Sequence, residues 1–257
     1  MSLLAVAVAG RGLVDAEAPV FRADDEALLR GAAAFETLRV YAGRPFLLDR
    51  HLARLRHSAA ELALPPPDGA EALVATLAAA APPEYVLRIY RTERDLVATA
   101  AALPTDLEQL RARGLALRSV EVGGPTMLEG VKSTSYAAAF AARREAEAAG
   151  ADDALLVANG VVLDTATANV WWVRDGRLFT PATRPGVLPG VTRSLVLEVE
   201  AAADGEFALD ELLAADEAFT TSSIREVMPV ASIDGRPLRP GPVAARLQAA
   251  LRLRSTA

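Results

Sequence analysis

The stretch DALLVANGVVLDTATANVWWVRDGRLFTP, residues 153–181, decides the fold. Three short apolar runs (153–159, 161–164 and 169–174) are punctuated by Asn159-Gly160 and Asp175-Gly176. Asn-Gly and Asp-Gly accept the two positive φ angles of a tight hairpin turn, so the spacing predicts successive strands. Trp171 and Trp172 fall on opposite faces of their strand, so at least one is core.

Outward from there the pattern alternates. A helix is predicted near Val191, strand, loop and strand over 218–230, and a closing helix over 241–254. On the N-terminal side, an alanine-rich helix over 136–149 stops at Gly150, with Ser133, Thr134 and Ser135 as possible N-caps. Gly123-Gly124-Pro125 and the irregular run to Val131 read as a linker. Farther back, residues 2–9 read as a strand, and FETLRVYAGRPFLL (35–48) as two strands around Ala42-Gly43. Asp49 then reads as the N-cap of a helix with Leu52, Leu55, Ala59 and Leu62 on one stripe. PPPDG (65–69) breaks the chain before a second helix (69–80), and 85–92 and 97–103 read as strands. The expectation is an α/β (α+β) protein of two domains. These are a small N-terminal α/β domain (1–113), a linker (114–131) and a larger, β-rich C-terminal α/β domain (132–257).

At 257 residues and 52% apolar composition the chain can bury a real core. A net charge of −6 argues against non-specific nucleic-acid or anionic-membrane binding. The absence of cysteine excludes disulfides, thiolate catalysis and cysteine-ligated zinc. Only His51 and His57 could serve a histidine site, and six residues apart on one helix they are poorly spaced for joint ligation, so no metal is expected. MSLLAVAVAG lacks the basic start of a signal peptide, and no charge-free apolar run is of membrane-spanning length. A cytoplasmic protein is expected.

Of 27 basic residues, Lys132 is the only lysine. A guanidinium stays protonated, whereas an amine can lose its proton and form a Schiff base. Lys132 lies at a loop-to-helix junction. Three other features suit a phosphate: Leu188-Pro189-Gly190 leading into Val191-Thr192-Arg193 and a helix, the hydroxyl run Thr220-Thr221-Ser222-Ser223, and Arg50 behind Asp49. A lysine with a phosphate cradle suggests pyridoxal phosphate. The plainer readings are ordinary helix capping, turn chemistry and a solvated arginine.

The order of FETLRVYAGRPFLLDRHLARL (35–55), Lys132 with Tyr136, GVVLDTATANVWWVRDGRLFTP (160–181), GVLPGVTR (186–193) and DEAFTTSSIREVMPV (216–230) resembles the class IV aminotransferases, the fold-type IV pyridoxal-phosphate enzymes. That family includes branched-chain and D-amino-acid aminotransferases and aminodeoxychorismate lyase. The resemblance implies that Lys132 is the Schiff-base lysine and the acid-base group. It implies that Arg50, Val191, Thr192, Ser222 and Ser223 bind the phosphate, that Tyr136 meets the ring oxygen, and that Asp164 meets the ring nitrogen. It also implies a homodimer. Asp164 stands where most members carry glutamate, so the pocket must close in by roughly one methylene or a water must bridge.

Many members have a glycine-rich loop where this chain reads VLRIYRTERD (86–95). Arg88, Tyr90, Arg91 and Arg94 stand there instead. One of these, or Arg39 beside Phe35 on the FETLRVY strand, could bind a substrate carboxylate. The plainer reading is solvated edge residues or intersubunit ion pairs. The implied activity is transfer of an amino group between an amino acid and a 2-oxo acid, with aminodeoxychorismate lyase, which releases pyruvate and 4-aminobenzoate, as the alternative.

Overall fold

The computed structural model describes residues 2–124 and 128–256, so Pro125 of the expected linker turn lies outside the described residues. The chain forms two compact units. One holds residues up to Pro104 together with Val131–Ser135, and the other holds Thr105–Gly130 and Tyr136–Ser255. Lys132 thus belongs with the N-terminal unit, not with the helix that follows it.

The N-terminal unit contains, in order, β1 (Leu3–Val8), β2 (Gly12–Val14), α1 (Glu26–Arg30), β3 (Ala34–Tyr41), β4 (Arg44–Pro45), α2 (Leu48–Glu61), α3 (Ala70–Ala78), β5 (Tyr85–Arg91) and β6 (Leu96–Ala101). The strands form one antiparallel sheet in the order β2-β1-β6-β5-β3-β4. Ala42 and Gly43 both take positive φ (47° and 77°), as the β3–β4 turn requires. Leu38, Leu87, Ile89, Ala98 and Ala100 alternate onto one face and pack against Leu52, Leu55 and Ala59 of α2 and Leu73, Val74 and Leu77 of α3.

Two expected caps are corrected. The N-cap of α2 is Leu47 in the left-handed region, with no side-chain bond, and Asp49 lies in the first turn. There its carboxylate still favours the helix dipole. Ser133, Thr134 and Ser135 do not cap the next helix, whose N-cap is Tyr136. The reason is that this segment serves the other unit. Ser133 bridges Ala34, and the Ser135 hydroxyl donates to the carbonyls of Arg30 and Gly31 at 3.3 Å.

Glu36 points to the helix-covered face of the sheet and is fully buried. Arg54 donates to it twice, at 2.7 and 2.8 Å, and His51 Nδ1 lies 2.7 Å from it. Burial alone would raise the Glu36 pKa, but the Arg54 charge and hydrogen bonds, with His51, bring it down to about 2. Burial also pushes His51 below its ordinary value, so the neutral ring faces the carboxylate with its Nδ1 proton. Glu36→Gln removes the buried negative charge that faces Arg54 and is expected to cost about 3–5 kcal/mol in urea unfolding.

The C-terminal unit contains α4 (Leu107–Arg113), β7 (Leu115–Glu121), α5 (Ala137–Ala148), β8 (Asp153–Ala158), β9 (Val161–Thr165), β10 (Asn169–Arg174), β11 (Arg177–Pro181), α6 (Val191–Val199), β12 (Ala202–Gly205), α7 (Leu209–Leu213), β13 (Glu217–Ser222), β14 (Glu226–Ile233), β15 (Arg236–Pro237) and α8 (Pro242–Thr256). Its sheet runs β12-β11-β10-β13-β14-β7-β8-β9, with β15 beside β14. The hairpin signals act as expected: Asn159 and Asp175 take φ of 52° and 51°, each before a positive-φ glycine. Both tryptophans are buried. Trp171 stacks on Phe219, and Trp172 stacks on Phe179 and meets Phe207 edge to face. The expected linker 114–131 is corrected in part: Leu115–Glu121 is β7, a strand inside the sheet that runs parallel to both β14 and β8.

Candidate active site

In the N-terminal unit, the segment around Lys132 runs beside the start of β3, on the edge that β4 covers only at Val40 and Tyr41. Phe35 N–H donates to the Lys132 carbonyl at 3.0 Å, and Thr134 N–H to the Ala33 carbonyl at 2.9 Å. Lys132 N–H donates to the Ser58 hydroxyl on α2 at 2.9 Å. Backbone bonds on both sides therefore fix the lysine. Its Nζ lies 4.4 Å from the centre of the Phe35 ring. The amine thus sits over an aromatic face.

The Phe35 face of the sheet also carries Thr37 and, across the β3–β5 register, Arg88 and Tyr90. Tyr90 stacks on Phe35 with ring centres 6.1 Å apart, and the Arg88 charge and hydrogen bond act on the Tyr90 hydroxyl. Arg39 lies on the same face but is nearly buried, paired with Glu84 at 3.0 Å and stacked over Tyr41. Arg91 donates to the Pro65 carbonyl, and Arg94 pairs with Asp24. Of the expected cations on β5, Arg91 is nearer to Phe35 in register but lies opposite Ala34 on the other face, and Arg88, opposite Thr37, is the one that shares the Phe35 face.

Arg50 is exposed in the first turn of α2. Arg54 is the arginine that shares the inward stripe of α2 with His51 and Ser58, at helical spacing i, i+3 and i+7. The sequence reading missed both Arg54 and Ser58. The signal was available in that spacing, since Leu55 and Ala59 had already marked the buried side.

In the C-terminal unit, Asp164 lies near the end of β9 and is 3% exposed. Its Oδ2 accepts from Asn169 Nδ2 at 2.8 Å and from the Leu188 amide at 3.0 Å. Its Oδ1 is buried with no hydrogen-bond partner among the described residues. Burial pushes Asp164 up to about 7, against the Leu188 amide, the Arg193 charge, the Val170 amide and Asn169, which pull it down. A buried carboxylate with one idle oxygen is costly unless a donor meets it.

The sign follows from the raised value. The folded, ligand-free protein prefers the protonated acid, so this contribution is intact below about pH 4 and is lost as pH rises through about 7. Over that window the wild type is expected to lose stability relative to Asp164→Asn, by on the order of 4 kcal/mol in thermal or urea unfolding.

Gly190 is the N-cap of α6, which makes Val191 and Thr192 its first two residues. Their amides have no acceptor inside the helix and can take an anion. Ser222 ends β13, Ser223 begins the following turn, and the Arg225 amide donates to the Ser222 hydroxyl at 3.2 Å. Arg225 in turn holds buried Asp153 at 2.8 Å, which pins the turn. The β10–β13 register sets Asn169 opposite Thr221, one residue from Ser222. Asp164 and the turn leading into α6 therefore meet at the side chain of Asn169, a residue the sequence reading did not single out. Tyr136 caps α5 and packs, half-buried, on the cluster that includes Val120, Ala139 and Leu156.

Residues 33–233 match the family model for amino-transferase class IV, and the chain belongs to that family of enzymes. It is 29% identical over 248 residues to a putative branched-chain-amino-acid aminotransferase of Methanocaldococcus jannaschii, with 86% of this chain and 84% of the relative covered. It is 28% identical over 243 residues to the aminodeoxychorismate lyase of Bacillus subtilis, covering 82% and 80%. A hypothetical aminotransferase from Mycobacterium tuberculosis, solved in a PLP-bound form, superposes with a TM-score of 0.87 at 26% identity, covering 97% of this chain and 98% of that one.

Proposed function

We propose that this protein is a pyridoxal-phosphate-dependent aminotransferase that moves an amino group between an amino acid and a 2-oxo acid. The observation that carries the reading is Asp164. Its buried, unpartnered Oδ1 fits a protonated ring nitrogen, the one donor a pyridinium offers. The free amides at the start of α6 fit the phosphate. When bound, the cofactor supplies a carbonyl carbon that exchanges amines and a ring that draws electrons from the substrate Cα.

The chain's own residues do the rest. Lys132 Nζ is the amine that holds the cofactor covalently. The same amine, placed beside the substrate Cα, would serve as the base and acid that moves the proton there. Asp164 Oδ1 keeps the ring-nitrogen proton in place. The Tyr136 hydroxyl meets the ring oxygen. The Val191 and Thr192 amides, the Thr192 hydroxyl, and Ser222 and Ser223 take the phosphate. Phe35 and Arg88 flank Lys132 on the substrate side, with Arg88 for a substrate carboxylate. Arg39, already paired with Glu84, serves the wall behind them.

The cation for the phosphate is Arg54 or Arg50, and burial beside Ser58 favours Arg54. Arg54→Ala is expected to weaken pyridoxal-phosphate affinity by about tenfold or more, and Arg50→Ala by less than threefold, in an absorbance titration. Arg50→Ala with the larger loss would return the role to Arg50.

The working form is expected to be a homodimer in the cytoplasm, checked by sedimentation and by fractionation of the host cell. No described helix is long and apolar enough to cross a membrane. The lyase relative supports a second reading, elimination of pyruvate from aminodeoxychorismate at the same lysine. Incubation with L- and D-amino acids separates the two. An aminotransferase loses its visible cofactor absorbance with an amino acid alone. Pyruvate release from aminodeoxychorismate at a competitive rate, with no such bleaching, would overturn the aminotransferase reading.

A further inference from the structure

Asn169 begins β10, is 5% exposed, and shares its side-chain amide between two neighbours. Nδ2 donates to Asp164 Oδ2 and to the Leu188 carbonyl, both at 2.8 Å. The Leu188 amide closes the triangle by donating to the same Asp164 oxygen at 3.0 Å. The other end of the Asn169 side chain fills the space beside Gly190, where a Cβ would lie 2.0 Å from Oδ1. Gly190 has φ −66° and ψ 137°, values any residue adopts. Glycine is needed there because Asn169 approaches, not because the backbone demands it.

We propose that Asn169 is a positioning residue that fixes the acid for the ring nitrogen and the α6 end for the phosphate as one unit. This rests on the cofactor reading above. The bracket occupies Oδ2 and leaves the buried Oδ1 as the oxygen without a hydrogen-bond partner among the described residues. It also holds the turn Leu188–Gly190 against the acid, so the amides of Val191 and Thr192 keep a set distance from Oδ1. An aspartate has no spare methylene with which to correct an error in that distance. Removing the Asn169 amide frees the acid to rotate and the turn to shift, so both grips loosen together.

The test uses cofactor-free protein and two partial ligands: pyridoxine, which has the ring nitrogen but neither phosphate nor aldehyde, and inorganic phosphate. Asn169→Ala and Gly190→Ala are each expected to weaken both ligands by about tenfold, the loss of a hydrogen bond to a charged group. The pH at which bound pyridoxine changes between its protonated and unprotonated spectra is expected to fall in both variants, a shift that loosened packing alone does not produce. Gly190→Ala keeps the Asn169 donor and displaces it only sterically, so it carries the test if Asn169→Ala folds poorly. A loss confined to pyridoxine would make Asn169 a local partner of Asp164 and overturn the proposal, as would unchanged affinity for both ligands. Wild-type protein that binds neither pyridoxine nor phosphate would overturn the cofactor reading itself.

Discussion

Lys132→Arg is expected to lower amino-group transfer by at least about 10³-fold, a loss in the range of removing a general acid-base group. The fold is expected to survive. The backbone of residue 132 keeps its bonds to Ser58 and Phe35, and an arginine keeps a cation over the Phe35 ring. What disappears is the amine. A guanidinium neither attacks a carbonyl carbon nor gives up its proton near neutral pH. The measurement is single-turnover bleaching of the cofactor with an amino donor. A thermal midpoint within a few degrees of wild type separates lost chemistry from lost structure. Activity within tenfold of wild type would mean that the proton at Cα is moved by another group.

Asp164→Asn carries the second large effect, an expected fall of about 10²–10³-fold in the same half-reaction, comparable to removing one preorganised electrostatic contact. The variant amide would keep its oxygen toward the Asn169 and Leu188 donors, because those two bonds are already formed with Oδ2. Its NH2 would then occupy the place of Oδ1. A donor there faces the ring nitrogen with the wrong polarity and favours the unprotonated ring, which draws electrons poorly. The cofactor should still attach, so colour is retained while turnover is lost. Asp164→Glu is not a neutral exchange here, since the extra methylene must fit into a side chain site that is already enclosed. Wild-type rates in Asp164→Asn would remove the acid from the account.

Much of this was readable in the sequence, for local reasons. The turns at Ala42-Gly43, Asn159-Gly160 and Asp175-Gly176 declare themselves because each places positive φ at two successive residues. The α2 stripe of Leu52, Leu55 and Ala59 is a periodic signal within four turns. What stayed hidden depends on distant partners. LALRSVE falls inside the expected linker, yet it is a strand whose neighbours lie far along the chain, at Asp153–Val157 and Val230–Ile233. Ser133–Ser135 look like helix caps, but their hydrogen bonds go back to residues 30–34. Arg50 draws attention because it follows a presumed cap at Asp49. The helix in fact starts at Leu48, and Arg54 is the arginine on the inner side. Asn169 carries no motif of its own. Its importance comes from Leu188 and Gly190, about twenty residues on, meeting Asp164 at its side chain.

The central claim is that the single lysine and the buried acid serve one cofactor. Borohydride reduction of protein saturated with pyridoxal phosphate, followed by peptide mass mapping, tests it most directly, because no other lysine competes for the label. The account predicts one reduced pyridoxyl-phosphate adduct at Lys132 in the wild type and in Asp164→Asn, and none in Lys132→Arg. A wild-type protein that stays colourless and carries no adduct at Lys132 would contradict it.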